Sequence, residues 1–154
     1  MPDVVYAEVT WEQLHRDARA LADLARQRGP FCGIVAVTRG GLVPAAIVAR
    51  ELDCRLIESI CVVAYDGEER NAGAPRVVKG ADAAGDGTGF LIVDDLVDRG
   101  DTARAVRNAL PRAIFACLYA KRDGLPCADL YVTEVPQKTW LVFPWDVAPA
   151  PVAP

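Results

Sequence analysis

The sequence predicts an α/β protein with a mainly parallel central sheet flanked by helices. Three observations carry this. Short apolar runs such as "CGIVAV" (32–37), "GFLIVDD" (89–95) and "AIFACLYAK" (113–121) read as strands buried on both faces. Segments with helical spacing separate them, at 11–28, from the end of "TRGGLVP" to about Leu52, and at 102–110. Strand–helix–strand alternation implies right-handed crossovers, which lay successive strands parallel.

Each element has a local reason. Thr10 with Gln13 has the form of a capping box. Leu14, Ala18, Leu21 and Ala25 then recur on one helical face until Gly29 supplies a stop. Strand 32–37 ends in "TRGGLVP", Thr38 to Pro44, which leads into the second helix. "RLIESICVVAY" (55–65) is another strand. Residues 66–89 are rich in Gly, Ala, Asp and charged groups, and only "RVVK" looks ordered. A connection this long is as a rule functional or mobile. After the 89–95 strand, the 102–110 helix and the 113–121 strand come "DLYVTEV" and a Trp- and Pro-rich tail, "PQKTWLVFPWDVAPAPVAP". One domain, 1–154, is expected, without internal repeats.

Composition narrows the function classes. An apolar fraction of 52% over 154 residues fills a core without disulfides or metal. The five cysteines, Cys32, Cys54, Cys61, Cys117 and Cys127, are odd in number and form no CxxC, so buried reduced thiols are expected. The one histidine, His15, has no zinc-type partner spacing and reads as a surface side chain. A net charge of −4 argues against a general nucleic-acid binder. It leaves room for a locally positive site that takes a small anion. No apolar run approaches the ~18 residues of a membrane span, and "MPDVVYAEVTWEQ" lacks signal-peptide features, so a cytoplasmic location is expected.

Ligands on such sheets bind beyond the carboxyl ends of the strands. The loops after Val37, Val93 and Ala120 lie there. The most informative stretch is "FLIVDDLVDRGDTARAV" (90–106), an apolar strand running into Asp94 and Asp95, with Asp98 one short turn further on. Three carboxylates at a buried strand end cost desolvation and mutual repulsion. Vicinal carboxylates suit sugar hydroxyls, or a Mg²⁺ ion that completes its shell with water and substrate phosphate. The turn "DRGDT" opens a helix whose unpaired N–H groups and dipole make an anion site. Gly100 permits close backbone approach and Thr102 offers a hydroxyl. Two other readings stay open on the residues alone. Asp94 and Asp95 could merely end a strand while Asp101 caps a helix, which explains one aspartate well and three poorly. An aspartyl-phosphate enzyme is loosely compatible with the spacing.

"FLIVDDLVDRGDT" resembles the phosphoribosyl diphosphate (PRPP) signature of the type I phosphoribosyltransferases: an apolar strand, two acids, then a phosphate turn. "VTRGGLVPAAIVARELDCR", "AYD", "GDGTGFLIVDDLVD", "YAK" and "PQKTWLVFPWD" are similar in order and spacing to the bacterial xanthine-guanine branch of the 6-oxopurine group, over nearly the whole chain. The resemblance implies the type I phosphoribosyltransferase fold, with a mobile lid at about 66–89 and a small base-binding hood at about 133–154. It implies a purine salvage transferase that converts guanine, xanthine or hypoxanthine and PRPP to the nucleoside 5′-monophosphate and pyrophosphate. Mg²⁺ as cofactor and a dimer or tetramer come with it, as does, for some members, peripheral contact with the inner membrane.

The resemblance also implies residue roles. Thr38, Arg39, Gly40 and Gly41 would form the pyrophosphate loop, with a cis peptide between Thr38 and Arg39. The physics agrees: two glycines let backbone N–H groups face an anion, and Arg39 can fork onto phosphate oxygens. Asp94 and Asp95 would hold the ribose hydroxyls, with Asp95 the Mg²⁺ partner, directly or through water. Asp98 would lie near purine N7 as general base or charge stabiliser. Asp98, Arg99, Gly100, Asp101 and Thr102 would bind the 5′-phosphate. Lys121 would donate to the 6-oxo group and Trp140 would stack on the base, while backbone carbonyls near Leu141 and Asp146 read the 2-substituent. Tyr65 would belong to the lid, and Arg70, Arg76 and Lys79 would approach pyrophosphate on closure. Without the resemblance, Lys121 reads as a solvated strand-end lysine, Trp140 as a core residue and the three lid cations as a solvated loop.

Two departures stand out. Arg99 replaces the family's threonine and Asp101 adds a negative charge beside the phosphate, so Arg99 is expected to compensate Asp101. "YAKRDG" lacks the proline that follows the lysine in close relatives, which leaves the preference among the three bases open. A PRPP-binding regulator without transferase activity, or a transferase for another base, remains the alternative.

Overall fold

A computed structural model describes residues 3–64 and 74–146. The elements are β1 (Val5–Glu8), α1 (Trp11–Arg26), β2 (Gly33–Thr38), α2 (Leu42–Glu51), β3 (Ile57–Val63), β4 (Arg76–Lys79), β5 (Phe90–Val97), α3 (Asp101–Ala109), β6 (Ile114–Lys121), β7 (Leu130–Val135) and β8 (Thr139–Val142). Six strands form the main sheet in the order β4-β3-β2-β5-β6-β7. All neighbours are parallel except β4, which runs antiparallel on the β3 edge.

The apolar runs are continuous because the central strands are covered on both faces. Ile34, Ala36, Leu91 and Val93 face the side that carries the α1 stripe of Leu14, Ala18, Leu21, Ala22 and Ala25. Val35, Val37, Phe90 and Ile92 face the other side, where Ala103 and Val106 of α3 pack. Thr10 caps α1 as the sequence predicts, its Oγ1 accepting from Gln13 N at 3.1 Å. From β2 the chain moves outward to β3, then returns to the other side of β2 with β5. The sheet therefore has its topological switch point between β2 and β5, where a crevice opens beyond the strand ends. The Thr38–Gly41 loop and the Asp98–Gly100 turn that follows β5 both leave from there.

Three expectations need correction. β1 escaped the sequence reading because Val5 and Tyr6 are exposed and give no burial pattern. It pairs parallel with β8, from Val5 with Thr139 to Glu8 with Val142. The hood therefore does not begin at 133: β7 runs to Val135 as a main-sheet strand, and the small two-stranded sheet joins β8 to the N-terminal strand. The lid range 66–89 is also too long. Tyr65 and Arg70 lie outside the described residues, but β4 extends the sheet and residues 82–84 form a 3-10 turn with Ala81 and Ala84 buried. Glu58 of β3 fastens this part, accepting from Lys79 Nζ at 2.7 Å and from Ala83 N at 3.2 Å. Small residues there fit a tight turn rather than an open loop. Finally, only Cys117 and Cys127 of the five free thiols are buried, and Cys32 is exposed. His15 is exposed as expected. Among the described residues no helix is long and apolar enough to cross a membrane.

Candidate active site

Two cavities open at the switch point and share Gly40, Asp95, Leu96 and Asp98. One, of about 640 Å³, continues over Lys121, Trp140, Leu141 and Asp146. The other, of about 430 Å³, is lined by Thr38, Asp94 and the turn from Asp98 to Thr102. One cavity is thus walled by aromatic and aliphatic groups, the other by a polar turn at a helix start.

The loop after β2 has the anticipated cis peptide between Thr38 and Arg39. Gly40 lies so close to β5 that a Cβ there would fall 2.3 Å from the Asp95 carboxylate. Gly41 differs from expectation. Its N–H donates to Val37 O at 2.8 Å, and a Cβ would meet Val93 O at 2.3 Å. This glycine lets α2 start against the sheet; its N–H does not face an anion. Arg39 is exposed and lines the larger cavity. Thr38 Oγ1 donates to Ile60 O at 3.3 Å.

Asp94 is buried inside β5, which runs on to Val97 rather than ending at the two acids, and it accepts from Asp95 N at 2.8 Å. Burial, and then the charge of Asp95, hold its carboxyl well above the usual carboxylate range. Burial also raises Asp95, against the hydrogen bonds it accepts, including one from Leu96 N at 2.7 Å. Burial and like charge thus both oppose full ionisation of this pair.

Gly100, at φ +93°, caps α3, and a Cβ there would meet Cys127 Sγ at 2.6 Å. Asp101, Thr102 and Arg99 follow on the rim of the smaller cavity. The expected Arg99–Asp101 compensation is replaced by another: Asp101 Oδ1 accepts from Arg104 Nη2 at 2.5 Å, one helical turn away. Arg104 also reaches Arg99 O at 3.4 Å and Cys127 Sγ at 3.5 Å, so it braces the turn from behind.

Lys121 is buried at 5% exposure, which excludes a solvated strand-end lysine. Its Nζ lies 3.1 Å from Asp98 Oδ2, so it reaches into the junction of the two cavities. Trp140 is 59% exposed and borders the larger cavity, which excludes a core role. Leu141 is buried beneath it, and Asp146 Oδ2 accepts from Phe143 N at 3.1 Å. Of the anticipated lid cations, Lys79 is committed to Glu58 and to Ser59 O at 2.8 Å, and Arg76 opens β4 opposite Val63.

Sequence reasoning missed three site residues. Phe143 and Trp145 line the larger cavity and stack at 5.0 Å between ring centroids. The density of aromatics in "WLVFPW" was a usable signal. Gln137 donates to Asp98 Oδ1 at 2.7 Å, and nothing in its local sequence announced that.

Residues 10–151 match the phosphoribosyl transferase domain family, and the chain belongs to it. A xanthine-guanine phosphoribosyltransferase of Gluconobacter oxydans is 65% identical over 98% of this chain and 90% of its own length. One of Desulfotalea psychrophila is 52% identical over 95% of this chain and 89% of its own. A purine phosphoribosyltransferase crystal structure from Pyrococcus horikoshii superposes with a TM-score of 0.78 at 30% identity, covering 97% of this chain and 99% of that one.

Proposed function

We propose that this chain transfers the phosphoribosyl group of PRPP to a 6-oxopurine (guanine, xanthine or hypoxanthine), forming the nucleoside 5′-monophosphate and pyrophosphate. One observation carries the reading: the base-sized cavity and the phosphate turn meet at Gly40, Asp95 and Asp98, where the anomeric carbon would stand. The bond from C1′ to the diphosphate oxygen breaks, a bond from C1′ to a purine nitrogen forms, and the displaced purine proton passes to a carboxylate.

Each residue then has a physical task. Thr102 and the N–H groups of the turn from Asp98 hold the 5′-phosphate, helped by the α3 dipole. Asp94 and Asp95 accept from the ribose hydroxyls. Asp98 faces purine N7 and stabilises the developing cation. Lys121 donates to the 6-oxo group, Trp140 stacks on the ring, and backbone carbonyls near Leu141 and Asp146 meet the 2-substituent. Arg39 and the Thr38–Gly40 backbone hold the pyrophosphate side.

The donor set fits Mg²⁺. Asp94 and Asp95 offer adjacent hard carboxylate oxygens on the wall of the smaller cavity, beside the phosphate turn. Mg²⁺ takes one or two carboxylates and completes its shell with substrate phosphate and water. Asp95 would hold it, directly or through water, and the ion would supply charge neutralisation on the departing pyrophosphate.

A regulator that only sensed PRPP would not need the larger cavity with its buried lysine and exposed indole, so those features favour the transferase. We further infer a homo-oligomer: Leu56 and Ile57 leave a half-exposed apolar strip at the start of β3, beside Arg50 of α2. Light scattering of the purified chain reads that assembly directly. The main test is initial-rate measurement with PRPP, Mg²⁺ and each of guanine, xanthine, hypoxanthine and adenine. Turnover of 6-oxopurines but not adenine is expected. No turnover of any base would leave the regulator, and adenine turnover alone would remove Lys121 from its assigned place.

A further inference from the structure

Gln137 lies in the tight turn between β7 and β8, where Thr139 N donates to Pro136 O at 3.0 Å. Its side chain spans two other segments. Nε2 donates to Asp98 Oδ1 at 2.7 Å, and Oε1 accepts from Asp123 N at 3.0 Å. The second contact fixes the amide orientation. A flipped amide would set Nε2 against the Asp123 N–H and Oε1 against a carboxylate, two unfavourable pairings at once.

The other oxygen of Asp98 faces Lys121 Nζ at 3.1 Å. The Asp98 carboxylate is thus gripped through both oxygens by donors from two different strand ends. An ionised carboxylate has about four lone-pair sites, so acceptor capacity remains for a substrate. Asp98 is half exposed, at 52%, and sits in an irregular turn. Backbone geometry alone would leave its χ angles free.

We infer that Gln137 is a positioning residue for Asp98: it holds the carboxylate in place when Lys121 turns its charge toward a bound base. This rests on the proposed reading of Asp98 as the group that meets the purine. Lys121 cannot give its full donor strength to both a 6-oxo group and Asp98. A neutral amide anchored to the 122–127 turn keeps one oxygen fixed while the lysine is shared. Glutamine also does so without adding charge to a junction that already holds Asp94, Asp95 and Asp98.

The test is a double-mutant cycle on the full chain with PRPP, Mg²⁺ and guanine. Gln137→Ala should lower kcat about 10- to 100-fold, as expected when a hydrogen bond to a charged group is lost. The KM for PRPP should stay within about twofold, because that ligand's phosphate site is untouched. In an Asp98→Asn background the same substitution should change kcat by less than about twofold, since its target is already altered. Gln137→Met, which keeps length and packing, is read in parallel in case the alanine variant unfolds. Gln137→Glu should be slower than either, because it sets a second carboxylate against Asp98. An equal cost of Gln137→Ala in both backgrounds would mean that Gln137 acts through the Asp123 turn, and the inference would fall while the site reading stood. An Asp98→Asn enzyme as fast as wild type would sink the reading of the site, and this inference with it.

Discussion

Lys121 Nζ and Asp98 Oδ2 stand 3.1 Å apart across the junction of the two cavities, the lysine buried and the aspartate half exposed. The ammonium is desolvated and has a carboxylate partner, so it can act as a fixed, charged donor for a carbonyl oxygen. Replacing it with alanine removes a charge-assisted hydrogen bond, worth about 1.5–3 kcal/mol. Lys121→Ala should therefore raise the KM for guanine about 10- to 100-fold and that for PRPP much less. Steady-state titration of each substrate at saturating levels of the other checks this.

Asp101 adds a negative charge at the phosphate turn, and Arg104 holds it. An exposed pair of this kind contributes little to stability. Its effect should appear in ligand binding, where an unneutralised carboxylate would oppose an incoming phosphate. Arg104→Ala should raise the KM for PRPP several-fold, and adding Asp101→Gly should restore it, with thermal stability nearly constant. Arg99→Thr should have the smaller effect, and a larger effect from that residue would reassign the compensation.

Gly40 has no room for a side chain beside Asp95. A methyl group would push the loop away from β5 and displace both Arg39 and the Asp95 carboxylate. Displacements of about 1 Å in such sites cost on the order of 100-fold in rate. Gly40→Ala should lose that much kcat/KM for PRPP while remaining folded by circular dichroism.

The Asp94 carboxyl is raised by burial and by Asp95. A raised folded pKa means that stability is fully present below the unfolded value, about 3.9, and is lost as pH rises through the folded one. Asp94→Asn keeps the acceptor for Asp95 N and removes the titration. The ligand-free variant should melt higher than wild type at pH 7, by a few degrees for about 1 kcal/mol, and should turn over much more slowly. A variant that melted lower at pH 7 would contradict the cost assigned to this carboxyl.

Glu58 behaves in the opposite sense. Lys79, then the N–H groups of Ser59 and Ala83, lower its pKa to about 2. Its contribution is therefore present above the unfolded value, about 4.3, and is lost as pH falls toward about 2. Urea unfolding at pH 6 and pH 3 should show a larger loss for wild type than for Glu58→Gln, which cannot titrate there.

Much of this site was legible because it is local. Asp94, Asp95, Asp98 and Gly100 follow one another along a strand end and a turn, so the chain itself fixes their relative places. The same holds for the Thr38–Gly41 loop. The apolar runs and the helical stripes fixed the parallel sheet, since their periods report which faces are covered. What misled was composition without partners. The small residues of 80–89 looked loose, yet they turn tightly under β3, and exposed β1 carried no pattern at all.

The sequence by itself determined a mainly parallel sheet covered on both faces and the acidic turn that follows one of its strands. These depend on periodicity and on neighbours within a few positions. Only the tertiary structure decided that Gln137 grips Asp98 from 39 residues away, that Arg104 rather than Arg99 holds Asp101, and that Lys121 is buried. Contacts of that kind form when distant segments converge on a crevice, and their geometry follows from how the whole sheet twists and packs rather than from any window of the chain.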